Sequence, residues 1–83
     1  MERVEISRDN KEAKLLVDTK FYEYNSVLLA ARAFTKSCWV YLDGDAQDKL
    51  LLCLKPKSGD VKLDEVGFEF YNYVLGLMKN ASP

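Results

Sequence analysis

The chain reads as a small α+β domain, a two-layer sandwich of two helices on one face of an antiparallel sheet. The sheet has three to four strands, in the order ββαββα or βαββα. Three observations lead there. Two stretches repeat apolar residues at helical spacing. A strand-like pair of stretches flanks an acidic loop containing Gly44. The 83 residues are 48% hydrophobic and 30% charged, with only four Gly and two Pro, which excludes disordered, collagen-like and low-complexity chains. That length suits one domain, residues 1–83, with 80–83 as a frayed tail.

Val4-Glu5-Ile6 alternates, then meets the polar run Arg8-Asp9-Asn10-Lys11-Glu12. Lys14–Asp18 follows as a second strand, so the two form a hairpin if the short first segment is a strand. Phe21–Tyr24 is an aromatic bridge into a helix expected to start near Asn25 or Ser26, either of which can cap free backbone N–H groups. Val27, Ala30, Ala31 and Phe34 recur at the spacing of one buried helical face. Thr35-Lys36-Ser37 closes that helix with basic and turn-forming residues.

Cys38–Leu42 is aromatic and β-branched, hence a strand. Asp43–Asp48 forms a loop, and Lys49–Lys55 returns as the partner strand, ended by Pro56. A simple register sets Leu42 opposite Leu50, Val40 opposite Leu52 and Cys38 opposite Leu54. One face then carries Cys38, Val40, Leu42, Leu50, Leu52 and Leu54 as core. The other carries Trp39, Tyr41, Leu51 and Cys53, so in this register the two thiols point apart, and slipping one strand by one residue would reverse that.

The second helix is expected from about Leu63 to Lys79. Its core stripe is Leu63, Val66, Gly67, Phe70, Val74 and Leu77, and Phe68, Tyr71 and Leu75 make a second apolar stripe beside it. At ~100° per residue the apolar arc covers about 220°, far wider than the stripe of an ordinary surface helix.

The chemistry inventory is sparse. There is no His, so the commonest general base and metal ligand is missing. No phosphate-binding glycine motif occurs, and Ser26, Ser37 and Ser58 have no imidazole to activate them. Asp43, Asp45 and Asp48 lack the Gly and bidentate Glu that an EF-hand loop needs, and read as a solvated turn. Glu65 and Glu69 read as a solvated helix edge. Lys55, Lys57 and Lys62 lie near aromatics, but a net charge of −1 sets nucleic-acid binding aside. With two cysteines outside any CxxC spacing, the chain reads as a non-enzyme without cofactors. A metal or enzymatic site assembled at a dimer interface from Cys38, Cys53, Glu65 or Glu69 is the competing reading. No apolar run approaches the roughly 20 residues of a membrane span, so a cytoplasmic, membrane-free protein is expected.

Apolar surplus is the sharpest signal. Trp39, Tyr41, Leu51 and Cys53, joined by Leu16, would stand on a sheet face that no helix is left to cover. Such a face meets a partner, or else the N-terminal segment with Val4, Ile6, Phe21 or Tyr22 folds over it. The expected partner is a second copy, held through this face or through Phe68, Tyr71 and Leu75 of the second helix. A free sheet edge could also accept an extended peptide.

A family resemblance agrees with that reading. At Val17-Asp18, Tyr22, Val27-Leu28, Ala30-Ala31, Phe34-Thr35 and Trp39-Val40 the chain resembles protein D of the His-Xaa-Ser system. The likeness continues at Leu54-Lys55-Pro56-Lys57, Leu63, Glu69-Phe70 and Asn72, and covers roughly Leu15 to Lys79. That family occurs beside radical SAM enzymes in peptide-modification gene clusters. Its C-terminal signature couples an Asn to an acidic residue and closes on Arg. Here Asn72 is followed by Tyr73, and Lys79 is the nearest basic residue, as in a divergent member. The resemblance implies an accessory protein without catalytic residues, binding a peptide or an enzyme partner.

Overall fold

The computed structural model describes residues 3–81; Ser82 and Pro83 of the expected tail lie outside the described residues. The longer of the two element orders is the observed one. Strands β1 (Val4–Ile6) and β2 (Ala13–Asp18) precede helix α1 (Tyr24–Phe34), and β3 (Cys38–Gly44) and β4 (Lys49–Pro56) precede helix α2 (Leu63–Ala81). The four strands form one antiparallel sheet in the order β1-β2-β4-β3. The two hairpins therefore join through β2 and β4, leaving β1 and β3 as edges.

Local chemistry sets each turn. Between β1 and β2, the Ser7 hydroxyl donates to the Asp9 carboxylate at 2.6 Å and accepts the Glu12 N–H at 3.0 Å. The Ser7 hydroxyl and the Lys11 N–H hold the Asp9 carboxyl below its ordinary value. Asn10 takes φ 60°, a conformation its short polar side chain tolerates.

The β3–β4 hairpin is tighter than expected. Its reversal is the four-residue turn Asp45–Asp48, closed by the Asp48 N–H on the Asp45 carbonyl at 3.0 Å. Strand β3 thus runs on through Asp43 to Gly44, whose φ of 104° only glycine adopts easily. Leu42 consequently faces Leu52, Val40 faces Leu54 and Cys38 faces Pro56, each two residues beyond the expected partner. A two-residue slip preserves parity, so every side chain keeps the face assigned to it.

Helix α1 begins at Tyr24, with Glu23 as N-cap and no side-chain cap, so neither Asn25 nor Ser26 caps it. The reason lies upstream: the Asp18 carbonyl accepts the N–H groups of both Phe21 and Tyr22, turning the chain early. Ser26 is instead buried inside the helix. At the other end, the Thr35 hydroxyl donates to the Arg32 carbonyl at 2.6 Å. Helix α2 continues two residues past Lys79, through Asn80 and Ala81.

Both helices lie on one face of the sheet. Val27 and Ala30 from α1, and Val66, Phe70 and Val74 from α2, close over Leu15, Val17, Leu50, Leu52 and Leu54. Phe34 meets Phe70 edge to face at 5.1 Å. Helix α2 comes so near β1 that a Cβ on Gly67 would lie 2.6 Å from both Val4 methyl carbons.

Tyr71 corrects an expectation. Placed with the outer stripe of α2 as an interface residue, it is only 1% exposed. Its ring packs against Tyr22 at 5.7 Å. Its hydroxyl lies 2.9 Å from the carbonyls of both Arg3 and Leu16, which share its single proton. The phenol thereby ties the N-terminal strand to the helix layer, and Tyr71 belongs to the core.

Candidate functional site: the open sheet face

Strand alternation puts one set of side chains on the face opposite the helices. The ladders align them in rows: Glu5, Lys14, Cys53 and Tyr41 in one, and Leu16, Leu51 and Asp43 in the next. Trp39 stands beside Lys55 in a third row. Leu16, Leu51 and Cys53 stand on the inner strands and Trp39 and Tyr41 along the β3 edge, with Glu5, Lys14, Asp43 and Lys55 interspersed among them. Trp39 is 65% exposed and Tyr41 60%, while Leu16 and Leu51 are also exposed and Cys53 is half-buried.

The N-terminal segment does not cover this face. Strand β1 adds edge-on to β2, with Val4 against α2 at Gly67. Tyr22 packs on Tyr71 in the helix layer, and Phe21 stands exposed. Covering by its own chain is therefore overturned for Trp39 and Tyr41. A strand already paired along its edge cannot also lie across the face.

The basic residues part company. The Lys57 ammonium sits 4.6 Å above the Trp39 ring and donates to the Thr35 carbonyl at 2.8 Å. Lys62 turns instead to Glu65 at the start of α2, 4.0 Å away. Sequence reasoning placed Lys57 near Trp39 but could not foresee the stacking, which depends on how the chain leaves β4.

Cys38 is buried on the helix side and Cys53 lies on the open side, both as free thiols. Burial, with Glu12 as the next cause, pushes the Cys53 thiol above its ordinary value. At any given pH it therefore holds less thiolate than a fully solvated cysteine. The acidic groups have local duties. Asp43 accepts the Gly44 N–H at 2.7 Å and Asp45 accepts the Gln47 N–H at 2.9 Å. Glu65 and Glu69 lie exposed along α2. Among the described residues, no three or more His, Cys, Asp or Glu side chains gather where a metal could be held. Nor is any described helix long and apolar enough to cross a membrane.

Of the α2 candidates, Phe68 and Leu75 are exposed, and Tyr73, which sequence reasoning passed over, is exposed as well. Its ring stands edge-on to Phe34 at 5.7 Å. These residues sit in the helix layer, separate from the Trp39–Tyr41 surface. No protein-family model, curated protein or solved structure matches the chain.

Proposed function

We propose that this protein is a small, non-enzymatic accessory module that pairs with a second copy and docks a peptide or enzyme partner. The resemblance to protein D of the His-Xaa-Ser system suggests the setting, a cytoplasmic peptide-modification system built around a radical SAM enzyme. One observation carries the reading: Trp39 and Tyr41 lie largely exposed beside Leu16, Leu51 and Cys53 on a sheet face without helices. Leaving such area in water forgoes about 25 cal/mol per Å², and aromatic residues are those that dominate binding energy in interfaces. Cys38 and Cys53 lie on opposite faces of the sheet, so the two thiols do not share one site within the chain.

Light scattering across the micromolar range tests the self-association. The wild type should be dimeric, and the double variant Trp39→Ala/Tyr41→Ala monomeric with an unchanged circular dichroism spectrum. A wild type that stays monomeric at high micromolar concentration refutes pairing. Trp39 is the sole tryptophan, so its fluorescence tests docking: titration with the precursor peptide or the radical SAM enzyme of such a cluster should shift it. A flat titration with both refutes the accessory role.

A further inference from the structure

The two edges of the sheet are unlike. Strand β1 is three residues long, whereas β3 runs for seven with neither proline nor an inward-pointing charge to guard it. Two hydrogen bonds fix which of its backbone groups are already used. The Lys57 N–H donates to the Ser37 carbonyl at 2.9 Å, and the Asp45 N–H donates to the Lys49 carbonyl at 2.9 Å. Bonded and non-bonded pairs alternate along an antiparallel ladder. Residues 37, 39, 41, 43 and 45 therefore bond to β4, and the amides of Val40 and Leu42 point out of the sheet. The Gly44 N–H agrees, since it turns away to the Asp43 carboxylate. Cys38, also on the outward set, is buried and ends the accessible stretch. Among the described residues no strand lies beyond β3.

We infer that a second copy of this chain occupies that edge, with the two β3 strands antiparallel and centred on Tyr41, so that the two sheets become one. The inference rests on the self-association proposed above and names the surface that forms it. Centred there, Val40 of each copy exchanges main-chain hydrogen bonds with Leu42 of the other. On the helix side these two half-buried residues complete each other's burial. On the open side Tyr41 meets its own copy, and Trp39 faces the other copy's Asp43. Charge complements this arrangement. The Lys57 ammonium lies over Trp39 with no carboxylate in ion-pair range, and Asp43 has no cation in range, among the described residues. Pairing brings the one to the other twice over, by symmetry. The joined sheet presents both sets of Leu16, Leu51 and Cys53 on one continuous face for a further partner.

Two variants break the pairing differently. Val40→Pro removes an N–H that the β3–β4 ladder does not use, and edge strands accept proline at such positions. It should leave the monomer folded and raise the dimer dissociation constant about tenfold or more, through the lost symmetric bonds. Asp43→Lys and Lys57→Glu each place like charges opposite one another and should weaken dimerisation a few-fold. Mixing the two restores both attractive pairs, so the heterodimer should be tighter than either homodimer by sedimentation velocity. This second arm decides the matter should Val40→Pro fail to fold. A dimeric wild type whose affinity is untouched by Val40→Pro, or a mixture no tighter than its components, overturns edge pairing while leaving sheet-face association standing. A monomeric wild type overturns both.

Discussion

Both faces of this sheet carry leucines, and those leucines meet opposite fates. Leu15 and Leu16 are neighbours in β2, and Leu51 and Leu52 in β4, yet Leu15 and Leu52 are wholly buried while Leu16 and Leu51 stand exposed. Hydropathy does not separate them. Parity does: successive side chains leave a strand in opposite directions, and both helices lie on one side. A run of leucines in β4 therefore supplies a core and an open surface at once. On the covered face each apolar side chain is worth its burial; on the open face the same side chain is worth nothing to the isolated chain and something to a partner.

Mutations sharpen that contrast. The largest effect should come from Phe70→Ala on the covered side, which empties a fully buried aromatic site that Phe34 stacks upon. A loss of about 3–5 kcal/mol by urea denaturation is expected, enough to unfold a marginal small domain. Tyr71→Phe keeps the ring and deletes a hydroxyl shared by Arg3 and Leu16. About 1–2 kcal/mol should be lost, and amide exchange should show β1 released ahead of the rest. On the open side, Trp39→Ala with Tyr41→Ala should change monomer stability by about 0.5 kcal/mol or less, measured below the concentration at which the wild type pairs. A comparable loss to that of Phe70→Ala would erase the distinction between the faces.

The thiols read the same contrast without altering stability. Cys38 is shielded and should resist alkylation by iodoacetamide until the protein unfolds. Cys53 is reachable, but its raised pKa leaves less thiolate at any given pH than a free cysteine has. Its alkylation at neutral pH should be slower than that of a model thiol, and should climb as pH rises past the ordinary value of 9.0. A Cys53 that reacts faster than the model thiol would contradict the apolar surroundings assigned to it.

Much of this arrangement is legible in the residues. The stripe Val27, Ala30, Ala31 and Phe34 and the stripe Val66, Phe70 and Val74 locate both helices, because their spacing matches the turn of a helix and not the alternation of a strand. The face parity of β3 and β4 survives a two-residue error in register, because only an odd slip exchanges the faces. Less local features escape. Helix α1 starts where the Asp18 carbonyl turns the chain, not where Asn25 or Ser26 offers a cap. Tyr71 looks like a surface residue on a helical wheel. Its burial depends on Tyr22 and the N-terminal strand, about 50 and 70 residues away in the chain, arriving at the same place.

Local periodicity and strand alternation were enough to establish a two-layer α+β domain with more apolar side chains than one sheet face can hide. Those properties follow from neighbours in the chain, whose geometry is repetitive. Strand order, the open edge at β3, the seat of Lys57 over Trp39 and the enclosure of Tyr71 were decided by tertiary structure alone. Each depends on distant segments meeting, and no spacing within a single element specifies which segments those are.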